Sequence, residues 1–137
     1  MVMDRRRPFL AVDIVIVRKD GTFVLVKRLN PPFEDHYALP GGFVEFGETV
    51  ESAAVREAKE ETGLEVKLTR IVGVYSNPNR DPRGHVVSIV FLAEEVGGEL
   101  RSGSDAREVK AFRDVPSKLA FDHRQILEDA FKLFGRK

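Results

Sequence analysis

Glu57 and Glu61 are spaced so that their carboxylates can act together on one ligand. Residues 49–62 have the pattern of an amphipathic helix, and at about 100° per residue both glutamates point from its apolar face. The rest of that face consists of small apolar side chains: Val50, Ala53, Ala54 and Ala58. Glu60 flanks the pair near the helix C-terminus, where the helix dipole disfavours negative charge. Such a cluster repels itself unless a cation lies among it, and carboxylate oxygens favour a hard divalent cation.

A glycine-rich loop leads into this helix, whose predicted N-cap is Thr49 and whose predicted C-cap is Gly63. Gly41, Gly42 and Gly47 allow the backbone to turn sharply and to approach a ligand closely. The free N–H groups at the helix N-terminus suit an anion such as phosphate. An acidic helix face on its own is usually solvated. The loop and the helix together instead favour a metal site beside an anion site.

Residues 42–64 carry a motif with a fixed spacing. From Gly42 the chain reads five residues, Glu48, seven residues and then REAKEETGL. This segment resembles the Nudix box at every specified position. Three more segments resemble the ADP-ribose pyrophosphatase group of the same family: residues 38–48 (ALPGGFVEFGE), 74–88 (VYSNPNRDPRGHVVS) and 119–123 (LAFDH). With the strand pattern, the resemblance extends over most of the chain.

The resemblance implies a Nudix-type α/β/α sandwich, in which a mixed β-sheet lies between helices. It also implies a metal-dependent pyrophosphohydrolase that uses Mg²⁺ or Mn²⁺ to cleave ADP-ribose to AMP and ribose 5-phosphate. Members of the group are commonly homodimers, so a homodimer is expected. Two alternatives remain open. One is hydrolysis of another nucleoside diphosphate-linked compound or of an oxidised nucleoside triphosphate, and the other is a sensor that binds ADP-ribose without hydrolysing it.

The resemblance assigns metal ligation to Glu57 and Glu61, with Glu60 and the backbone carbonyl of Gly42 assisting. The helical-face argument supports the first two independently. The general base is Glu60 or Glu108, because relatives place this glutamate either in the box or on a later loop. Residues 105–112 resemble the segment in which relatives carry the later carboxylate. The alternative interpretation of Glu108 is an exposed residue at a strand edge.

Glu48 and Arg56 are predicted to have a structural role within the box. They lie eight residues apart, across the junction between loop and helix. An arginine can hold a carboxylate in a fixed bidentate geometry, so this pair can fasten the loop to the helix. Direct contact of either residue with substrate is the alternative.

Substrate contacts are predicted outside the box. Pro78, fourteen residues past Leu64, falls where ADP-ribose hydrolases of the family carry a proline. Arg80 and Arg83 in the same loop, and Arg28 at the end of the second predicted strand, are candidates for phosphate or ribose contacts. Solvated surface arginines are the alternative. Four aromatic residues are available to stack on adenine: Tyr75, Phe33, Phe43 and Phe46. For the last two, packing around the box loop is the alternative.

Length and composition fit one domain spanning residues 1–137, with 42% hydrophobic residues. The 22 basic and 22 acidic residues give zero formal net charge, which argues against nucleic acid or membrane partners bound through charge alone. The chain has no cysteine, which excludes disulfides and thiolate metal sites and fits a cytoplasmic protein. The apolar run 9–17 is interrupted by Asp13 and is too short to span a bilayer. It is predicted to be a buried strand.

Strand and helix patterns that are interspersed along the chain predict an α/β domain with a mixed sheet. Strands are predicted at residues 9–17, 23–28, 65–75, 86–95 and 107–112. A second helix is predicted to begin near Asp122, whose spacing to Gln125 resembles a capping box. No serine in a nucleophile-elbow context completes a catalytic triad with His123, which is therefore interpreted as a residue that stabilises the sheet edge.

Overall fold

A mixed β-sheet with one helix packed on each face forms the framework of the protein. The structure is a computed structural model that describes residues 6–103 and 106–135. The elements in chain order are β1 (Phe9–Val17), β2 (Phe23–Arg28), β3 (Tyr37–Ala38), β4 (Gly41–Phe43), α1 (Val50–Thr62), β5 (Leu64–Tyr75), β6 (Val86–Gly98), β7 (Ala106–Phe112) and α2 (His123–Leu133). The strand order is β3-β2-β1-β6-β5, with β4 paired to β1 and β7 to β2. The predicted α/β/α sandwich is confirmed.

β1 lies in the middle of the sheet, and its side chains are buried on both faces. It runs parallel to β6 and antiparallel to β2 and β4. Val12 and Ile14 pack in the core that contains α1, whereas Val15 packs in the core that contains α2. Burial on both faces explains why the strand is nearly continuously apolar in sequence. Asp13, the exception, lies opposite Gly41 of β4.

α1 forms as the sequence predicts, with a cap at each end. The Thr49 side chain accepts a hydrogen bond from the Ser52 N–H at 3.0 Å, and Gly63 adopts the left-handed conformation with φ 77°. The buried face consists of small side chains, which allow the helix to lie close to the sheet: Ala53, Ala54 and Ala58. Close packing of this face fixes the direction in which the glutamates of α1 project.

α2 covers the opposite face of the sheet with an apolar stripe of Ile126, Leu127, Ala130 and Phe131. It begins at His123, but the Asp122 side chain makes no capping hydrogen bond. The predicted capping box with Gln125 is therefore wrong, because Arg80 engages the Asp122 carboxylate through two hydrogen bonds. Within the described residues, neither α1 nor α2 has the length and apolar character needed to cross a membrane.

The strand predictions hold, with small differences at the ends. β1 and β2 have the predicted bounds, whereas β5 begins at Leu64, β6 continues to Gly98 and β7 begins at Ala106. Two short strands, β3 and β4, are absent from the prediction. β4 has two glycines among its three residues, and glycine is depleted in strands. Its pairing with β1 is a long-range contact that local propensity does not reveal.

Candidate active site

A cavity of about 360 Å³ lies where β1, β4 and α1 meet the end of β2 and the loop before β6. Its walls carry carboxylates, arginines, aromatic rings and one histidine. The residues that matter for its chemistry are Asp13, Arg28, Gly42, Phe43, Glu57, Glu61, Arg80, Arg83, Phe121 and His123. This mixture suits a ligand that combines phosphate, sugar and an aromatic group.

Glu57 projects from α1 into the cavity wall, and its side chain is only 13% exposed. Burial raises the pKa of its carboxyl to about 7, and the nearby charges of Glu61 and Glu60 act in the same direction. Arg56 opposes the shift from 3.5 Å. A carboxylate held in this way gains stability from an added cation.

Gly42 is required where it stands because the Glu57 carboxylate occupies the space of a side chain. A Cβ built on Gly42 would lie 1.9 Å from Oε2 of Glu57. Glycine therefore permits close approach of the carboxylate to the β4 backbone. Glu61, one turn further along α1, lines the same cavity.

The donor set suits a hard divalent cation. Among the residues that the structure describes, no group of three or more His, Asp or Glu side chains is arranged to hold a metal ion. The cavity instead offers two carboxylates, those of Glu57 and Glu61, beside the backbone of Gly42. Mg²⁺ is typically bound through one or two carboxylates, with substrate phosphates and water completing its octahedron. The residues present therefore fit Mg²⁺ or Mn²⁺.

Glu48 and Arg56 form a bidentate ion pair that joins the loop after β4 to α1. Nε of Arg56 lies 2.7 Å from Oε2 of Glu48, and Nη2 lies 2.9 Å from Oε1. The same Nη2 also donates to the Phe43 carbonyl at 3.2 Å. Since neither Glu48 nor Arg56 lines the cavity, their contacts fit fastening of the loop.

Glu48→Gln should reduce stability in a pH-dependent manner. The hydrogen bonds from Arg56 lower the pKa of the Glu48 carboxyl from 4.5 to about 2. A lowered pKa stabilises the folded state above the unfolded-state pKa, and this contribution is lost as pH falls from about 4.5 toward 2. We expect a lower Tm than that of the native protein at pH 7, and a difference that shrinks as the pH falls from about 4.5 toward 2.

Thermal unfolding at several pH values checks this expectation. Glu128→Gln is the matched control, because Glu128 is exposed on α2. A Glu48→Gln variant whose Tm difference from the native protein stays constant between pH 7 and pH 3 would contradict the proposed pairing.

The two candidates for the general base, Glu60 and Glu108, lie outside the lining of this cavity. The Glu60 side chain is 58% exposed and accepts a hydrogen bond from Nη1 of Arg56 at 3.1 Å. Glu108 lies on β7, where its carboxylate accepts a hydrogen bond from the Tyr37 hydroxyl. Asp105, which belongs to the segment compared with relatives, lies outside the described residues.

Arg28 and Arg80 both line the cavity, but in different states. The guanidinium of Arg80 is held by the Asp122 carboxylate through hydrogen bonds of 2.7 and 2.9 Å, and the Arg80 side chain is only 5% exposed. Nε of Arg28 donates to the Pro32 carbonyl at 2.7 Å, and its guanidinium lies over the Phe121 ring at 5.0 Å. Burial and the nearby Arg83 lower the pKa of Arg28. Arg28 therefore holds a positive charge toward the cavity, whereas Arg80 organises its wall.

The predicted aromatic contacts separate into two groups. Tyr75 lies outside the cavity lining, packs in the α2 core and donates a hydrogen bond to Asp129 at 2.6 Å. Phe33 also lies outside the lining and packs edge-on against Phe121. Phe43 lines the cavity and is 45% exposed, whereas Phe46 is fully exposed elsewhere. The structure brings only Phe43 of these four to the cavity.

Phe121 lines the cavity although the sequence analysis did not select it. Its backbone is in the left-handed region with φ 53°, which is uncommon for an aromatic residue. The guanidinium of Arg83 lies 5.6 Å from the Phe121 ring centroid and 6.0 Å from that of Phe43. Asp81 holds Arg83 through hydrogen bonds of 2.7 and 3.0 Å. Two rings and an arginine thus line the more exposed part of the cavity.

Asp13 and His123 also line the cavity and were missed as site residues. Asp13 looks in sequence like an interruption of a buried strand, and His123 like a residue at the sheet edge. The second interpretation is correct in part, because Nδ1 of His123 accepts a hydrogen bond from the Leu39 N–H at 2.9 Å. A lone aspartate in an otherwise apolar strand was the available signal, because burying a carboxylate without a partner is unfavourable.

The chain and its fold match a known family. A family model described as the NUDIX domain matches residues 7–133. The chain belongs to the Nudix family.

Three relatives refine the comparison. The ADP-ribose pyrophosphatase of Methanocaldococcus jannaschii is 57% identical over 124 residues, which are 89% of this chain and 72% of that protein. The ADPR responsive transcriptional repressor NtrR of Acinetobacter baylyi is 29% identical, and the match covers 98% of this chain and 57% of the repressor. The structure of the NUDIX domain of Shewanella oneidensis NrtR complexed with ADP ribose has a TM-score of 0.79 and 27% identity, with 93% of this chain and 89% of that chain covered.

Proposed function

We propose that this protein is a metal-dependent pyrophosphohydrolase that cleaves ADP-ribose to AMP and ribose 5-phosphate. The observation that carries the proposal is the pair of carboxylates, Glu57 and Glu61, on the wall of a cavity that also holds Arg28. The similarity to an ADP-ribose pyrophosphatase at 57% identity supports the choice of substrate. We include in this proposal a single domain over residues 1–137, a cytoplasmic location and a homodimer.

The protein residues supply binding and orientation. Glu57 and Glu61, with the Gly42 carbonyl, would hold Mg²⁺ or Mn²⁺. When bound, the metal neutralises phosphate charge and activates a water for attack on phosphorus. The positive charge of Arg28, which lines the same cavity, would attract the diphosphate. The fastening of the loop by Glu48 and Arg56 keeps Gly42 against Glu57.

Of the two glutamates, we favour Glu60 over Glu108 as the general base. Glu60 lies on the same helix as the two cavity carboxylates and acts electrostatically on Glu57. Glu108 lies on β7, and its carboxylate accepts a hydrogen bond from the Tyr37 hydroxyl. We expect Glu60→Gln, but not Glu108→Gln, to remove the acidic limb of the pH–rate profile. Loss of that limb in Glu108→Gln alone would transfer the role to Glu108.

A second function, sensing of ADP-ribose without hydrolysis, is supported by the likeness to the A. baylyi repressor. The cavity acids argue for hydrolysis, because a pure binding site for a diphosphate gains nothing from two carboxylates in the absence of a cation. Other nucleoside diphosphate-linked compounds and oxidised nucleoside triphosphates are the alternative substrates. A comparison of kcat/KM over these compounds decides among them, and ADP-ribose should give the highest value.

Product analysis in H₂¹⁸O tests the proposed reaction itself. Purified protein, ADP-ribose and Mg²⁺ should yield AMP and ribose 5-phosphate in equal amounts, with one ¹⁸O in a product phosphate. The labelled product identifies which phosphorus the water attacks. Tight binding of ADP-ribose with no AMP formed at saturating Mg²⁺ would establish the sensor function instead.

A further inference from the structure

Asp13 and His123 come from different elements and face each other across a buried part of the cavity. Asp13 lies within β1 and His123 is the first residue of α2. Nε2 of His123 lies 3.9 Å from Oδ1 of Asp13, and the two side chains are 4% and 13% exposed. Both line the cavity, and 3.9 Å is too long for a direct hydrogen bond. A ligand atom beside the line that joins them, on the cavity side, can be within hydrogen-bond distance of both.

The protonation of His123 follows from its backbone contact. The Leu39 N–H donates to Nδ1 at 2.9 Å, so Nδ1 carries no proton. Burial lowers the pKa of the ring to about 3, and the neutral ring must carry its proton on Nε2. In the part of the chain that the structure describes, no hydrogen bond satisfies this N–H. His123 thus presents a donor to the cavity.

Burial raises the pKa of the Asp13 carboxyl to about 7, so at pH 8 the group is mainly ionised and presents the matching acceptor. The Ser88 hydroxyl, which is fully buried, donates to Oδ2 of Asp13 at 2.5 Å and fixes the orientation of the carboxyl group. Oδ1 is left on the cavity side, toward His123 and Gly41. A Cβ on Gly41 would lie 2.4 Å from Oδ1. Glycine at this position therefore keeps the acceptor accessible.

A donor and an acceptor at this separation select a group that accepts one hydrogen bond and donates another. A hydroxyl does both. A phosphate is repelled by the neighbouring carboxylate, and a cation is disfavoured by the Nε2–H of His123. We propose that Asp13 and His123 form a subsite for a hydroxyl of the terminal ribose of the substrate.

The position of the subsite agrees with the connectivity of such a substrate. Gly41 and Gly42 are consecutive, and they accommodate the carboxylates of Asp13 and Glu57 respectively. Side chains of consecutive strand residues point to opposite faces of a sheet, so the two carboxylates lie on either side of β4, and both line the same cavity. The hydroxyl subsite therefore shares this cavity with the site proposed for metal and phosphate. The more exposed rings of Phe43 and Phe121 remain for the adenine. This inference rests on the proposed function, because it assigns one end of its substrate.

Two matched diphosphates test the subsite. One is ADP-ribose, and the other is the tetrahydrofurfuryl ester of ADP, in which the terminal ring is kept and its hydroxyls are absent. In the native protein kcat/KM should be higher for ADP-ribose by about 10- to 100-fold, as expected for hydrogen bonds to a buried polar site. Asp13→Asn and His123→Gln should lower kcat/KM for ADP-ribose by most of that factor and leave the ester within about twofold.

Asp114→Asn is the matched control, because Asp114 is exposed in the segment after β7, and it should change neither substrate. Asp13→Asn preserves shape and provides the test even where His123→Gln fails to fold. Equal losses of kcat/KM for both substrates would overturn the subsite. They would show that the substitutions act through the general structure of the protein, or that the two side chains bind only a water molecule. Unchanged kcat/KM for ADP-ribose in Asp13→Asn would also overturn it.

Binding without turnover separates this inference from the proposed function. By calorimetry, the native protein should bind ribose 5-phosphate more tightly than tetrahydrofurfuryl phosphate, and Asp13→Asn should remove the difference. Absence of ADP-ribose hydrolysis with this discrimination intact would defeat the proposed function and leave the hydroxyl subsite standing. Hydrolysis without any discrimination between the two phosphates would defeat the subsite alone.

Discussion

Glu57→Gln should lose at least about 100-fold in kcat for ADP-ribose, because metal stabilisation of a phosphoryl transition state is worth several kcal/mol and each 1.36 kcal/mol is tenfold. The amide keeps the size of the side chain but not its charge. Folding should not suffer, since burial already raises the pKa of this carboxyl to about 7. Removal of a buried charge beside Glu61 relieves repulsion. We therefore expect an equal or higher Tm at pH 8.

Steady-state kinetics and thermal unfolding on the same preparation measure both effects. Glu61→Gln should show a comparable loss, because Glu61 lines the same cavity one turn away. Glu128→Gln, an exposed substitution on α2, is the control and should retain native kinetics. A Glu57→Gln protein with a native kcat would refute the ligand role of this residue. A large fall in Tm would instead indicate that its loss of activity is structural.

Gly42→Ala should lose about 100-fold in activity, a factor that a misplacement of about 1 Å can produce. The new methyl group would lie 1.9 Å from Oε2 of Glu57, so the carboxylate must move. The clash involves the end of a flexible side chain, which can yield without moving the backbone. The fold should therefore persist while the proposed metal site is displaced.

Two other glycines provide controls for this substitution. In Gly97→Ala the new Cβ also meets a glutamate carboxylate, that of Glu65 at 2.5 Å, but away from the cavity. This variant should keep native activity. In Gly41→Ala the Cβ meets the backbone oxygen of Val12 at 2.3 Å, so the fold itself should lose about 1–3 kcal/mol. Native activity in Gly42→Ala, or a stability loss equal to that of Gly41→Ala, would contradict the proposed role.

The framework was predictable from the sequence because local signals and tertiary packing agree along most of it. The apolar run of β1, the caps Thr49 and Gly63, and the small-residue face of α1 each indicate the element that forms. β4 was not predictable in this way, since its glycines have no strand propensity of their own. Its pairing with residues 11–13 of β1 makes this segment a strand.

The acidic part of the site was predictable because it is contained in one helix and the loop before it. Helical spacing alone puts Glu57 and Glu61 on one face, and the structure brings both to the cavity. The partners of these residues come from distant segments, and spacing carries no information about them. Asp122, interpreted as a helix cap, instead binds Arg80 across 42 residues of sequence.

The wall formed by Asp13, Ser88 and His123 was likewise not predictable from spacing, because its residues come from distant segments. These three residues lie on β1, β6 and α2, and only the parallel pairing of β1 with β6 places Ser88 beside the Asp13 carboxyl group. In sequence, each has an ordinary alternative as a core or edge residue. Their shared function as a polar wall depends on tertiary contacts alone.

Uptake of Mn²⁺ by the protein tests the central claim most directly, because this paramagnetic ion reports its own binding by electron paramagnetic resonance. The native protein should bind Mn²⁺ in the presence of AMP, and Mg²⁺ should compete for the same site. The double variant Glu57→Gln, Glu61→Gln should bind none under the same conditions, with its fold intact by circular dichroism. Equal uptake by the native protein and the double variant would show that these carboxylates do not hold the metal.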